Sequence, residues 1–227
     1  MEDHLNFSSF FNSSGLKAGI SLRSLNGKDD QVRVKLVERL SLKENELCKL
    51  VQIHSNNIEF LNEASISQEA DGFITRNKNL VLSIKISDCI PLFLFESKTG
   101  LTGLIHSGWR GTVGEIVVNG IELMIQNGGE PSHIQALIGP SICRDHFEIK
   151  NDIVSQFPSK YVEPNNRGSF GVDLKGMVFD QLISMGVKSE TIYNCNLCTF
   201  CREDMFFSYR RDKGIEGQMI AMMGWSD

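Results

Sequence analysis

Apolar residues recur along the chain with two different periods, and each period predicts an element. Across residues 31–40 they fall at Val32, Leu36, Val37 and Leu40, one face of a helix. Across 115–126 they fall at Ile116, Val117, Ile121, Met124 and Ile125, a second helix with Gly128 suited to its left-handed end. Asp173 can cap a third helix over 174–185, and Gly186 ends it. The strand period of two appears over 80–87, with Leu82, Ile84 and Ile86 on one face. Residues 91–95 form a fully apolar strand. Ser97-Lys98-Thr99-Gly100 supplies turn chemistry, and 101–106 returns as the next strand, a hairpin whose far end delivers His106. Residues 134–138 are a strand stopped by Gly139-Pro140. Further strands are expected within 17–24, 50–54, 71–75, 192–194, 206–209 and 218–222. Asn26-Gly27 and Asn56-Asn57 read as turns, 8–14 as a loop, and Ser41 with Glu44 as a capping box opening a short helical turn. The alternation of periods predicts an α/β mixture with antiparallel strand pairs, and no stretch reads as a linker, so residues 1–227 are expected to form a single domain.

Composition adds constraints more than direction. The chain has 227 residues, 41% hydrophobic and 22% charged, enough to bury a core without covalent staples. Its formal charge of −5 gives no global pull toward nucleic acid or an anionic membrane. The start, Met1-Glu2-Asp3-His4, is acidic where a secretory signal needs a basic and then an apolar stretch, and no apolar run reaches bilayer length. The expected location is the cytoplasm. There the six cysteines are expected to be thiols or metal ligands, not disulfides.

Three segments can carry chemistry. His54 stands at the predicted end of a strand beside a turn, where a scaffold presents functional groups. Asp88-Cys89 places a carboxylate and a thiol between two apolar strands, with Pro91 restricting how the chain turns. His106-Ser107-Gly108-Trp109-Arg110-Gly111 joins a strand to a helix. Its glycines permit a tight turn, the helix amides would favour an anion, and Arg110 offers a planar fork suited to phosphate. Each segment also has a bland explanation: a surface histidine, an inert buried thiol, an arginine in a surface ion pair. Together, His54, Cys89 and His106 offer two imidazoles and one thiolate, a donor set that suits zinc and leaves a fourth position for water or substrate. Their spacing alone does not bring them together.

Cys195-x-x-Cys198-x-x-Cys201 is a rival. A bacterial iron–sulfur run needs a fourth cysteine at position 205, which is Met205. Cys48 or Cys143 could complete a four-cysteine set, but no second C-x-x-C pair exists, so these three cysteines are expected to be dispensable for metal binding. Phe206-Phe207-Ser208-Tyr209-Arg210-Arg211-Asp212 reads equally as an ordinary strand with a solvated basic end or as a strand that delivers Arg210 or Arg211 to an anionic substrate. No P-loop, dinucleotide fingerprint or Ser/His/Asp nucleophile set is present.

The chain resembles the laccase-domain proteins, long labelled multicopper polyphenol oxidases and later assigned purine nucleoside phosphorylase activity. The matching segments are Ser24-Leu25-Asn26, Gln52-Ile53-His54, Ala70-Asp71-Gly72-Phe73-Ile74-Thr75, Ser87-Asp88-Cys89-Ile90-Pro91, His106-Ser107-Gly108-Trp109-Arg110-Gly111, Ile138-Gly139-Pro140-Ser141-Ile142, Cys198-Thr199 and the run 206–212. They follow the family order over nearly the whole chain. The resemblance implies a single compact α/β (α+β) domain with mixed β-sheets layered with helices, and zinc held by His54, Cys89 and His106. It implies phosphorolysis of inosine, adenosine or methylthioadenosine, with adenosine deaminase as a side activity, in a monomer or homodimer. The alternatives are a copper-dependent polyphenol oxidase, or a hydrolase editing peptidoglycan precursors. Copper fits less well, because multicopper oxidation needs many histidines and only two of five lie in motif context. Within this reading Asp71, Asp88 and Arg110 are the catalytic candidates, the two carboxylates either as acid/base groups or as orienters of the histidines. Asn26, Arg110, Arg210 and Arg211 are the expected contacts to purine nucleoside and phosphate. The family's Arg-x-Gly-Gly before Ser-Leu-Asn is missing, Ser55 replaces a glycine, and Asp145-His146-Phe147-Glu148 replaces its Cys-Cys-Phe-Glu.

Overall fold

The structure is a computed structural model. It describes residues 2–29, 31–42, 46–64, 68–165, 168–214 and 216–226. Among them, fifteen strands form three sheets, with five α-helices. The first sheet runs in the order β1 (His4–Asn6), β2 (Leu16–Ser21), β15 (Met219–Trp225), β7 (Val81–Ile86), β3 (Leu47–Val51), β5 (Gln68–Glu69). The second runs β14 (Ile192–Asn194), β10 (Ile134–Ile138), β8 (Ile90–Glu96), β9 (Thr102–Ser107), β6 (Gly72–Thr75), β4 (Ile58–Leu61). Both mix parallel and antiparallel pairs. A small antiparallel sheet holds β11 (Glu148–Ile149), β13 (Phe170–Val172) and β12 (Val162–Pro164).

Apolar patterning explains the layering. Helix α1 (Gln31–Leu40) lays Val32, Leu36, Val37 and Leu40 on the outer face of the first sheet, against Val81, Ile220 and Met222. The inner face of that sheet, with Ile20, Leu82, Ile84 and Ala221, meets Phe73, Phe93, Phe95 and Leu104 of the second. The opposite face of the second sheet, with Ile90, Leu92, Leu94 and Ile105, is covered by α3 (Ile116–Gln126) and α4 (Leu174–Ser184). The result is helix, sheet, sheet, helix. Strand β8 is apolar at nearly every position because it is covered on both faces. No described helix is long and apolar enough to cross a membrane.

Several expectations are displaced. The strand expected to end at His54 ends at Val51, and His54 follows in a bend with φ 58°. The predicted strand over 206–209 does not form. Ser208 instead caps a short helix, α5 (Tyr209–Asp212), by accepting a hydrogen bond from the Arg211 amide at 3.2 Å. Ser41 is the left-handed residue closing α1, and the helical turn expected after it, with Glu44, falls on residues outside those described. Strand β4 sits just after Asn56-Asn57, where the short run 58–61 is too brief for its period to be read.

The site depends on the β8–β9 hairpin. Pro91 pairs with His106 and Ile90 with Ser107, so continuing the register sets Cys89 opposite Gly108 at the open end. Asp71, one residue before β6, accepts the His106 amide on its backbone carbonyl at 2.7 Å. Three neighbouring strands therefore end at one place.

The Asp173 carboxylate caps α4 through the Gly176 amide at 3.0 Å and faces Arg144 at 3.1 Å. Asp173→Ala should lower unfolding free energy by about 0.5–2 kcal/mol, while Asn, an equally good cap, should retain most of it. Denaturant unfolding of the two variants checks this.

Candidate metal centre and pocket

Asp71 is fully buried, so its oxygens need partners. It has four: the backbone amides of His54 (3.1 Å) and Ser55 (2.6 Å), the Ser55 hydroxyl (2.8 Å) and Nδ1 of His106 (2.8 Å). Burial pushes the Asp71 carboxyl up, but His106 and the Ser55 donors outweigh it and hold it below the usual range. An ionised carboxylate on Nδ1 makes that nitrogen the donor and leaves Nε2 of His106 as the nitrogen that a metal can take by displacing its proton. The same carboxylate fixes the bend carrying His54. One buried group thus sets both histidines.

Cys89 is set by Asp88. The residue has φ 82°, a conformation that aspartate tolerates better than most, and it turns the chain into β8. Its carboxylate accepts from Thr199 Oγ1 (2.6 Å), Ser208 Oγ (3.0 Å) and the Arg210 amide (2.8 Å). The donor atoms of His54, Cys89 and His106 come within 4.8 Å of one another. The two imidazole rings are 4.9 Å apart and near perpendicular. A Cβ on Gly108 would lie 3.2 Å from both Cys89 Sγ and His54 Cδ2, so only glycine keeps this centre uncrowded. Burial pushes the Cys89 thiol up, but His106 and His54 bring it down to about 6. Burial lowers His106, yet Cys89 and Asp71 raise it to about 9. The cysteine is thus a thiolate at neutral pH, the form that binds metal. Two imidazoles and one thiolate fit a single borderline-soft ion with a position to spare.

All three residues line a cavity of about 840 Å³. Asp88, Arg110 and Arg210 line it too, whereas Asp71, Asn26 and Arg211 are not among its lining residues. Asn26 stitches a loop, donating to the Glu216 carbonyl at 3.0 Å and accepting from the Lys28 amide at 3.1 Å. Arg211 is spent on structure: it donates to the carbonyls of Thr199, Phe200 and Phe206 and to the Asp212 carboxylate. Arg110 is exposed, with its guanidinium 4.4 Å from the Trp109 ring centre. It lies in α2 (Trp109–Val113), a single turn too short to supply the expected long-helix field, so the positive charge there rests on Arg110 itself. Arg210 is half committed, donating to the carbonyls of His146 (3.2 Å) and Glu148 (2.9 Å).

Sequence reading missed Gln52, Lys85, Trp109, Phe147, Tyr209 and Gln218 on the cavity wall. Gln52 clamps the Lys85 backbone from both sides, at 2.8 and 2.7 Å. Tyr209, 66% exposed, could have been flagged as an aromatic beside two arginines.

The chain matches the family described as multi-copper polyphenol oxidoreductase laccase over residues 20–226. It belongs to that family. It is 31% identical over 218 residues to a protein named purine nucleoside phosphorylase from Deinococcus radiodurans, covering 93% of this chain and 84% of that one. It is 30% identical over 215 residues to adenosine deaminase RL5 from an unknown prokaryotic organism, covering 86% and 82%. The crystal structure of YlmD from Geobacillus stearothermophilus superposes with a TM-score of 0.86 at 27% identity, covering 94% of this chain and 93% of that one. The curated relatives thus carry the names of purine nucleoside phosphorylase and adenosine deaminase enzymes.

Replacing Asp71 by Asn keeps its shape but turns a donor toward neighbours that already donate. Metal affinity should fall about 10–100-fold with the fold retained. Chelator competition, with circular dichroism as the control, reads both.

Proposed function

We propose that the chain is a zinc-dependent purine nucleoside phosphorylase of the cytoplasm, acting on inosine, adenosine or methylthioadenosine with inorganic phosphate. The observation that carries this reading is the cavity itself. A soft three-ligand set shares one volume of about 840 Å³ with Arg110, Arg210 and Lys85 and with the rings of Trp109, Phe147 and Tyr209. That volume is in the usual range for a ligand of nucleoside size. Cations suit phosphate, and aromatic faces suit a purine.

In phosphorolysis a phosphate oxygen bonds to the anomeric carbon as the carbon–nitrogen bond breaks. The electron pair leaves with the purine, whose nitrogen then takes a proton. Zinc, when bound, supplies a cation that masks phosphate charge or polarises the substrate. Arg110 presents two parallel donors to the phosphate oxygens and is our first assignment for that contact. Lys85 and Arg210 add positive charge. Asp71 has four hydrogen-bond donors and Asp88 three, so both act by orienting His54, His106 and Cys89, the orienter alternative of the two roles considered. The proton donor to the leaving base is then a water or a residue of the cavity wall.

Deamination is the second reading, favoured by the name of the RL5 relative and by the same open metal position. A multicopper oxidase is disfavoured by the donor set: five histidines in the chain, two of them on this cavity with one thiolate.

Free base should appear from inosine or adenosine only when phosphate is present, and Cys89→Ser should abolish it, because a protonated hydroxyl is a poor zinc ligand. Ammonia release without phosphate would assign the site to deamination. Arg110→Lys should raise KM for phosphate by about one to two orders of magnitude with zinc content unchanged, since lysine offers a point charge in place of a fork.

A further inference from the structure

Thr199, which donates to Asp88, lies within Cys198-x-x-Cys201, and this segment meets a second pair in the fold. After β10 and Gly139-Pro140 the chain carries Cys143-x-x-His146. The donor atoms of Cys143, His146, Cys198 and Cys201 all lie within 4.8 Å of one another. Nδ1 of His146 is 3.2 Å from Cys143 Sγ and 3.4 Å from Cys201 Sγ. Zinc bonds of about 2.3 Å to sulfur and about 2.0–2.1 Å to nitrogen in a tetrahedron put donor atoms about 3.5–3.8 Å apart, so the cluster needs little adjustment. The His146 ring is held in plane by stacking on Phe200, with centroids 4.0 Å apart and planes 15° apart. The Cys143 backbone amide donates to Cys198 Sγ at 3.2 Å, a contact that favours the thiolate.

We propose that Cys143, His146, Cys198 and Cys201 form a second, closed zinc site that fastens segment 143–148 to segment 198–202. Two C-x-x-C/H pairs on separate segments are the spacing of structural zinc sites, and four protein ligands leave no position for substrate. A two-iron cluster would divide the ligands between two metals, whereas these four surround a single point. The expectation that Cys198 and Cys201 play no part in metal binding arose from seeking a second pair of cysteines; the partner pair ends in histidine. Cys195 is not in the group.

The consequence for the pocket is mechanical. Phe147 lines the cavity, and the carbonyls of His146 and Glu148 anchor Arg210. Arg211 ties the carbonyls of Thr199 and Phe200 to α5, and Thr199 holds Asp88. The clamp thus supports one wall of the cavity and, through Asp88, the turn that presents Cys89.

The test is zinc stoichiometry of the whole chain, stripped of metal under reducing conditions and titrated with zinc alone. Wild type should take two equivalents, Cys89→Ser one, and the double variant His146→Ala/Cys201→Ser one. Residues His146 and Cys201 are not deeply buried, so this variant should fold. Cobalt should report the same division: a strong sulfur charge-transfer band from three thiolates that survives in Cys89→Ser and is lost in the double variant. On wild type alone, zinc should shield Cys143, Cys198 and Cys201 from alkylation together. A wild type that takes one equivalent and loses it entirely in Cys89→Ser, a double variant that binds as much zinc as wild type, or thiol counting that finds two of these cysteines joined as a disulfide would overturn the second site. Should the Cys89 centre fail instead, wild type and Cys89→Ser would both take one equivalent and the double variant none, so the two failures are distinguishable.

Discussion

A buried carboxylate survives in a protein interior only if its lone pairs are occupied, and Asp71 is occupied from two directions. The His54–Ser55 bend donates to it three times and His106 once. Because Asp71 leads into β6, which pairs with β9, the backbone register and the side-chain network impose the same geometry. The histidines cannot be moved independently: a change in the bend, in the hairpin or in Asp71 changes all three. Asp88 plays the matching part for Cys89, tied to Thr199, Ser208 and Arg210. Two carboxylates with no donor capacity of their own therefore turn three separated segments into one rigid centre.

That rigidity has an electrostatic side. The chain carries a net charge of −5, yet its cavity gathers Lys85, Arg110 and Arg210. Net charge gives no sign of such a local field. The thiolate of Cys89 and the charged His106 stabilise each other without a metal. Metal uptake must then displace the His106 proton, which couples binding to pH.

Much of the fold was legible because its core strands and helices carry long, regular patterns. Helix α1 and strand β10 begin and end where the apolar spacing says they should. The candidate metal ligands were legible as residue types, but their convergence was not, since a parallel and antiparallel sheet order is a non-local property. Phe206 and Phe207 look like a strand because they are buried, yet Ser208 and Asp212 offer the backbone a helical turn instead. Arg211 and Asn26, polar and near motifs, lie off the cavity wall and donate to backbone carbonyls, which their local sequence does not show. Aromatic and amide groups on the cavity wall went unseen because nothing in their local sequence marks a surface as concave.

The central claim is that one ion sits among His54, Cys89 and His106 with a fourth position facing the cavity. Anomalous diffraction at the zinc absorption edge, from crystals of chain purified without added metal, tests it most directly. The account predicts a peak bonded to these three side chains, at about 2.3 Å from sulfur and about 2.0–2.1 Å from nitrogen, completed by a non-protein ligand. No peak there, or a signal at the copper edge from several ions, would contradict it.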